Sequence, residues 1–259
     1  LSDLGVTIDH GTYKENTFFI SDFSDVEIST MQSNGFNIEI LIDDVVQYYM
    51  QQNLIGTEQV EKNAACSGTS GSGGFSPATP TNFNQGSMGG YLTYQQMLDE
   101  LDAMVAQYPT LITARAPIST FLTFQNRPLY YVKISDNPAT DEALEKKVLY
   151  TANHHAREPM AMMETIFYMW YLLENYNTND EAKYIVDNMQ LYFVPCVNPD
   201  GYIYNQTTNP GGGGMWRKNR RLNSGGSYGV DLNRNYSYQF GTTGTTTTQS
   251  NETYCGTAA

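Results

Sequence analysis

A histidine and a glutamate lie three positions apart directly after an apolar run, a spacing typical of metal ligands. The segment His155-Ala156-Arg157-Glu158 follows the run from Val148 to Ala152. Imidazole nitrogens and carboxylate oxygens both bind zinc. A turn after a strand places such side chains at the carboxyl edge of a sheet, where open α/β folds carry their chemistry. His155 and Glu158 are therefore candidate zinc ligands.

Two ligands are too few for a catalytic zinc site, which usually has three protein ligands and one position for water or substrate. The chain contains three histidines, His10, His154 and His155. His154 is a poor third ligand because adjacent side chains on an extended segment point in opposite directions. Taken alone, the pattern fits equally well a strand-end histidine followed by a helix that begins with Pro159.

Three further motifs follow the histidine motif in the sequence. They are Asn198-Pro199-Asp200-Gly201-Tyr202, Trp216-Arg217-Lys218-Asn219-Arg220-Arg221 and Asp231-Leu232-Asn233-Arg234-Asn235. In their order and spacing, the four motifs resemble the zinc metallocarboxypeptidases of the carboxypeptidase A/B type, and in particular bacterial carboxypeptidase T-like members. The resemblance runs from about Tyr91 to the end of the chain.

The resemblance implies that His155 and Glu158 are two of three zinc ligands. The family's third ligand is a histidine on a later strand, and it has no counterpart in this sequence. The same is true of the tyrosine that caps the substrate and of the glutamate that acts as general base. We therefore expect the catalytic domain to be truncated before its end, and this chain alone to be inactive.

The resemblance also implies roles for one asparagine and four arginines. Arg220 matches the arginine that polarises the scissile carbonyl, whereas Arg157 and Arg217 match arginines along the substrate's path. Asn233 and Arg234 match the pair that binds the terminal carboxylate of the substrate. A guanidinium suits this last role because it binds a carboxylate through paired charge-assisted hydrogen bonds. The expected substrates are peptides or proteins with a free C-terminal carboxylate.

Composition narrows the class of partners. The formal net charge is −13, which disfavours a nucleic-acid partner because phosphates need positive charge. The sequence has no apolar run long enough to span a membrane. Its 20 tyrosines and many Asn, Thr, Ser and Gly residues favour a secreted protein, and the absence of a signal-like start fits a processed or fragmentary beginning.

The composition changes along the chain in a way that predicts three parts. Residues 61–90 are rich in Gly, Ser and Pro, and they read as a linker that a protease could cut. Residues 1–60 have a β-α-β-α pattern, with a strand at 17–20, a helix at 24–34, a second strand at 36–42 and a second helix from Asp43. This α+β unit resembles the prosegment of procarboxypeptidases, which implies a zymogen and an activating protease. A short accessory domain is the alternative.

Residues 91–259 are predicted to form the first part of the catalytic domain. Apolar periodicity predicts helices at 93–107, 159–175 and 181–189. Strands are expected at 112–118, 129–135, 147–152 and 191–197, and Asn198 to Gly201 as a turn. This alternation predicts an α/β fold with a mixed, largely parallel sheet and helices on both faces.

The sequence thus predicts a zinc metallocarboxypeptidase made as a zymogen. Two alternatives stay open. A zinc amidase or deacylase on the same scaffold would keep His-x-x-Glu without needing Asn233 and Arg234. A non-catalytic homologue would bind peptide carboxylates in an arginine-lined cleft without zinc.

Overall fold

A computed structural model describes residues 1, 4–6, 8, 11–14, 17–48, 51, 78–242 and 244–259. Most of the predicted linker, including Cys66, lies outside the described residues. Two regular parts are seen on either side of it, a small N-terminal unit and a larger domain. None of the helices in the described ranges is long and apolar enough to cross a membrane.

The N-terminal unit contains a hairpin and a helix. Strands β1 (Thr12–Lys14) and β2 (Phe18–Ile20) pair antiparallel, and helix α1 (Asp25–Ser33) follows them. The capping box predicted for this helix is present, because Ser24 and Glu27 exchange hydrogen bonds at its start. Residues 45–48 are helical, near the start predicted for the second helix.

The strand predicted at residues 36–42 is wrong. These residues are irregular, and Phe36, Ile40, Leu41 and Ile42 are all exposed. Their alternation of apolar and polar residues predicts a strand only where a neighbour supplies hydrogen bonds, and the unit's described pairing joins β1 to β2 instead. Among the described residues, no strand pairs with residues 36–42.

A four-stranded sheet lies at the centre of the larger domain. Its strands are β3 (Ala116–Pro117), β4 (Tyr130–Ile134), β5 (Lys146–Thr151) and β6 (Met189–Val194), in the order β3-β4-β6-β5. The β3–β4 and β4–β6 pairs are antiparallel, whereas β5 and β6 are parallel. The predicted mixed α/β sheet is confirmed, but the expectation that it is largely parallel is wrong for the described strands, because only β5 and β6 pair in parallel.

The helices of the larger domain start close to where their caps predict. They are α2 (Tyr94–Gln107), α3 (Pro159–Asn175), α4 (Asp180–Asn188) and α5 (Pro199–Thr208). The turn predicted at Asn198 to Gly201 is the start of α5. Asn198 caps this helix by accepting a hydrogen bond from the amide of Gly201, and a proline is tolerated at the first helical position because its missing N–H needs no partner there.

One face of the sheet forms the core with these helices. Val132 pairs with Phe193 and Ile134 with Leu191, and all four are fully buried in one cluster with side chains of α2, α3, α4 and α5. The opposite face carries Lys133 and Tyr192, next to Leu149, which is 65% exposed. This packing holds β5 against β6. The loop that carries His155 begins at the C-terminal end of β5.

Candidate active site

The loop between β5 and α3 is held in shape by Asn153. This residue has a φ of 54°, in the left-handed region that asparagine tolerates better than most residues. Its side-chain amide donates to the carbonyl oxygens of His155 and Glu158, at 3.1 and 3.2 Å. The amide of Ala156 donates to the carbonyl of Arg217. These bonds turn the chain sharply and bring His155 and Glu158 together.

His155 and Glu158 face each other across a short distance. Nδ1 of His155 lies 2.9 Å from Oε1 of Glu158. On its other side, Nε2 of His155 lies 3.1 Å from Oδ1 of Asp231, which is fully buried. The pKa of the Asp231 carboxyl is held below its usual range, because the hydrogen bond from His155 and the charge of Arg217 outweigh the effect of burial.

This arrangement fits a zinc ion. An ionised Asp231 can only accept hydrogen bonds, so it fixes the imidazole proton on Nε2 and leaves the lone pair of Nδ1 facing Glu158. Two acceptor atoms 2.9 Å apart repel each other unless a proton or a cation lies between them. Zinc binds both atom types at about 2.0–2.2 Å, which places two of its ligand atoms on the order of 3 Å apart. Hydrogen bonds with Asp231 and Glu158 overcome the effect of burial and raise the pKa of His155.

Asp231 joins His155 to Arg217. Its Oδ2 accepts hydrogen bonds from Nε and Nη2 of Arg217, at 3.2 and 2.9 Å. Both side chains of this ion pair are fully buried. The contact predicted between Arg217 and a substrate would therefore require release of Asp231 and a large rearrangement. In this geometry Arg217 supports Asp231.

Arg157 lines a cavity of about 350 Å³ that Glu158 also lines. Its side chain is 7% exposed, and its Nη1 lies 3.6 Å from Oε2 of Glu252. Nη2 of Arg157 and Oε2 of Glu252 are buried without a hydrogen-bond partner. Burial raises the pKa of the Glu252 carboxyl, although Arg157 acts in the opposite direction. Arg157 thus keeps donor capacity at the cavity, as a residue on a substrate's path would.

Asn233 and Arg234 lie on a 3₁₀ turn, Leu232–Arg234, which Asp231 caps. Oδ1 of Asp231 accepts from the amide of Asn233 at 2.9 Å, so the carboxylate that orients His155 also starts this turn. Nε of Arg234 donates to the carbonyl of Gly244, and its Nη1 to that of Asn233. Asp231 therefore connects Asn233 and Arg234, the predicted carboxylate-binding pair, to the loop that carries His155 and Glu158.

Arg220 lies among aromatic rings. Its guanidinium carbon is 3.8 Å from the ring centre of Tyr204, 4.4 Å from Trp216 and 4.5 Å from Tyr228. Among the described contacts, none joins Arg220 to His155 or Glu158. The structure thus brings His155, Glu158 and Arg217 together around Asp231, with Asn233 and Arg234 on the adjoining turn, and holds Arg220 in separate surroundings.

Sequence reasoning missed the role of Asp231. The residue stands at the head of the motif that supplied Asn233 and Arg234, yet its two key partners are 76 and 14 positions away. One signal was present, because metal-bound histidines commonly donate their second ring N–H to a carboxylate. An aspartate in a motif that already suggests a metal site is a natural candidate for that partner.

The sequence of the larger domain is similar to those of known proteins. A family profile described as zinc carboxypeptidase matches residues 97–259. A zinc carboxypeptidase from Saccharothrix mutabilis subsp. capreolus is 39% identical over 155 residues, which is 60% of this chain and 34% of that protein. Rat carboxypeptidase A2 is 29% identical over 232 residues, which is 87% of this chain and 47% of that protein.

Two solved structures have a fold similar to that of this chain. Carboxypeptidase A from Helicoverpa armigera superposes with a TM-score of 0.64 at 22% identity, over 90% of this chain and 51% of that one. Bovine thrombin-activatable fibrinolysis inhibitor, solved with a tick carboxypeptidase inhibitor, superposes with a TM-score of 0.54 at 26% identity. The match covers 65% of this chain and 51% of that one. The chain spans half or less of the length of the curated relatives described above.

Proposed function

Because the chain belongs to the zinc carboxypeptidase family, we propose that it supplies the first part of an active site that hydrolyses the C-terminal peptide bond of polypeptides. The observation that carries the proposal is the chain of contacts from Glu158 through His155 and Asp231 to Arg217. A buried carboxylate that fixes the tautomer of a histidine beside a second acceptor is the arrangement of a metal site with its supporting partner.

His155 and Glu158 would hold the zinc. When bound, zinc supplies a Lewis acid and lowers the pKa of a water ligand to about 7. Asp231 keeps the Nε2 proton of His155 in place, and Arg217 keeps Asp231 ionised inside the protein. The resemblance gives no counterpart in this sequence for the third ligand, the substrate-capping tyrosine or the general base.

Substrate recognition would come from the arginines and Asn233. Arg234 and Asn233 bind the free terminal carboxylate, with one planar guanidinium and one amide as donors. Arg157 lines the cavity and would donate to a carbonyl oxygen of the peptide chain. Arg220 is the donor for the oxygen of the scissile carbonyl.

Calorimetric titration of this chain with N-acetyl-glycyl-phenylalanine and with its C-terminal amide tests the carboxylate assignment. The free acid should bind at least about tenfold more tightly, since a charge-assisted bidentate contact contributes about 1.5–3 kcal/mol. Arg234→Ala should abolish this preference. Arg115→Ala should keep it, because Arg115 pairs with Asp102 on the surface.

Equal affinities for acid and amide in the wild-type chain would reject the exopeptidase assignment and favour an amidase or a deacylase. The preference for the free acid over the amide should persist after all metal is chelated, because Arg234 binds the carboxylate without zinc. Tight zinc binding together with peptide hydrolysis by this chain alone would show that a third ligand and a base lie within the 259 residues.

The N-terminal unit would act as a prosegment over this site in a secreted zymogen, and a protease would release it by cutting within residues 61–90. Contacts of the unit with the larger domain support this. Asp22 lines the same cavity as Arg157 and Glu158, and the hydroxyl of Thr253 donates to the carbonyl of Gly5. The alignment with rat carboxypeptidase A2 also extends N-terminal to the residues that the family profile matches.

A further inference from the structure

Two arginines of the motif Trp216 to Arg221 have their charges stabilised in different ways. Arg217 gives Nε and Nη2 to the carboxylate of Asp231 and is fully buried. Arg220, three residues later, faces three aromatic rings and has no carboxylate partner among the described ion pairs. Its Nε is buried without a hydrogen-bond partner.

We propose that Tyr204, Trp216 and Tyr228 form an aromatic cage that positions Arg220 with its N–H donors unused, ready for an oxyanion. A guanidinium stacks its flat face on aromatic rings, which attract the charge electrostatically. The N–H groups lie in the plane of the guanidinium, so a ring stacked on a face does not occupy them, and none of the described hydrogen bonds uses an N–H of Arg220. A carboxylate partner would stabilise the charge equally but would occupy those donors, as it does in Arg217.

The walls of the cage are themselves fixed. Asn205, next to Tyr204 on α5, donates to the carbonyl of Trp216 and accepts from its amide, at 2.8 and 2.9 Å. The rings of Tyr204 and Trp216 pack edge to face, with centroids 5.3 Å apart. The indole N–H of Trp216 donates to the backbone carbonyl of Lys218 at 2.5 Å. The third wall, Tyr228, comes from a small hairpin in which Leu222 pairs with it.

This inference deepens the proposed function, on which it rests, because it makes the three aromatic residues positioning residues for the donor of the scissile carbonyl. A donor that must act when negative charge develops is most effective if it is already oriented and not engaged elsewhere. The cage provides both conditions without a competing anion.

The side-chain Nε–Hε resonance of Arg220 in an NMR spectrum of the full chain, assigned by its loss in Arg220→Lys, tests the cage. Over ring faces this proton should be shifted upfield. Tyr228→Phe keeps the ring and should keep the shift, whereas Tyr228→Leu should move the resonance towards that of an exposed arginine. Tyr204→Leu is the second variant, and retained chemical shifts of core residues show that each variant is folded.

Titration with inorganic phosphate, an oxyanion that does not depend on the peptidase assignment, tests whether the donors are free. Phosphate should perturb the Arg220 resonance in the wild type and in Tyr228→Phe, with an affinity at least about threefold lower in Tyr228→Leu. An unshifted resonance in the wild type, no response to phosphate, or equal responses in the Phe and Leu variants would overturn the proposal. Loss of the acid-over-amide preference in the peptide titration would instead reject the proposed function and leave the cage result standing.

Discussion

At the scale of single residues, Asp231 has the most consequential set of contacts. It orients His155, caps the turn that carries Asn233, and neutralises the buried guanidinium of Arg217. A buried charge that loses its partner is costly, because the low-dielectric interior does not replace the lost hydrogen bonds. The stability of the larger domain and the order of the metal loop therefore depend on the same carboxylate.

We expect Asp231→Asn to lower the free energy of unfolding by about 3–5 kcal/mol at neutral pH, since Arg217 is left as an uncompensated buried charge. The pKa of Asp231 is lowered in the folded state. Its contribution is thus fully present above the pKa of the unfolded carboxyl and is lost as the pH falls through the folded pKa. The difference between wild type and variant, measured by urea denaturation, should shrink in acid.

Asp102→Asn is the matched control, because it breaks an aspartate–arginine pair on the surface. Asp102 contacts Arg115 at 2.8 Å, and its side chain is 54% exposed. Exposed pairs contribute about 0–1 kcal/mol. Equal losses of stability in the two variants would contradict the buried role of Asp231.

The sequence predicts the candidate ligands but not their supporting partner. His155 and Glu158 are three positions apart, so local geometry alone can bring them together. Asp231 reaches His155 only because the segment after α5 folds back against the metal loop, and no local pattern encodes that crossing. The burial of Arg217 could not be predicted for the same reason. A run of basic residues predicts a solvent-exposed surface unless its buried partner, here Asp231, is known.

At the scale of secondary structure, helices were the more predictable elements. Capping boxes and apolar periodicity gave α1, α2 and α3 to within one residue at their starts. Helix α5 was missed, because Asn-Pro-Asp-Gly favours a turn as well as a helix start. The strand predicted at 112–118 is reduced to β3 and one bridge between Ile112 and Ile134, since strand length depends on pairing and not on composition.

Helix α2 offers a test of how much a cap contributes. The hydroxyl of Thr93 accepts from the amide of Gln96, and Oε1 of Gln96 accepts in return from the amide of Thr93. We expect Thr93→Ala to lower the free energy of unfolding of the larger domain by about 1 kcal/mol. Thr93→Ser, which keeps the hydroxyl acceptor, should lower the free energy of unfolding by only a few tenths of a kcal/mol in the same denaturation experiment. A serine variant as unstable as the alanine variant would show that the methyl group of Thr93, and not the cap, is responsible.

At the scale of the whole molecule, the arrangement of the N-terminal unit over the larger domain is the feature that the sequence could only suggest. The fold of each part follows from its own pattern, but a docking surface depends on which loops meet. Gly213 is one such meeting point, because a Cβ atom placed there would lie 2.9 Å from the carbonyl oxygen of Val46. The glycine-rich loop before Trp216 thus contacts the helical segment at residues 45–48.

Substitution of Gly213 separates docking of the unit from backbone strain. Gly213 and Gly226 have φ values of 79° and 81°, but a Cβ at Gly226 would meet nothing within 4 Å. Alanine at either position should cost about 1–2 kcal/mol in strain, and alanine at Gly213 should in addition push away the segment around Val46. Hydrogen exchange of residues 25–48 in the full chain should therefore be about fivefold faster in Gly213→Ala than in Gly226→Ala, corresponding to about 1 kcal/mol of lost docking. If the two variants exchange at the same rate in this segment, Gly213 does not hold the N-terminal unit, and the proposed cover of the cavity would have to rest on other contacts such as those of Asp22 and Gly5.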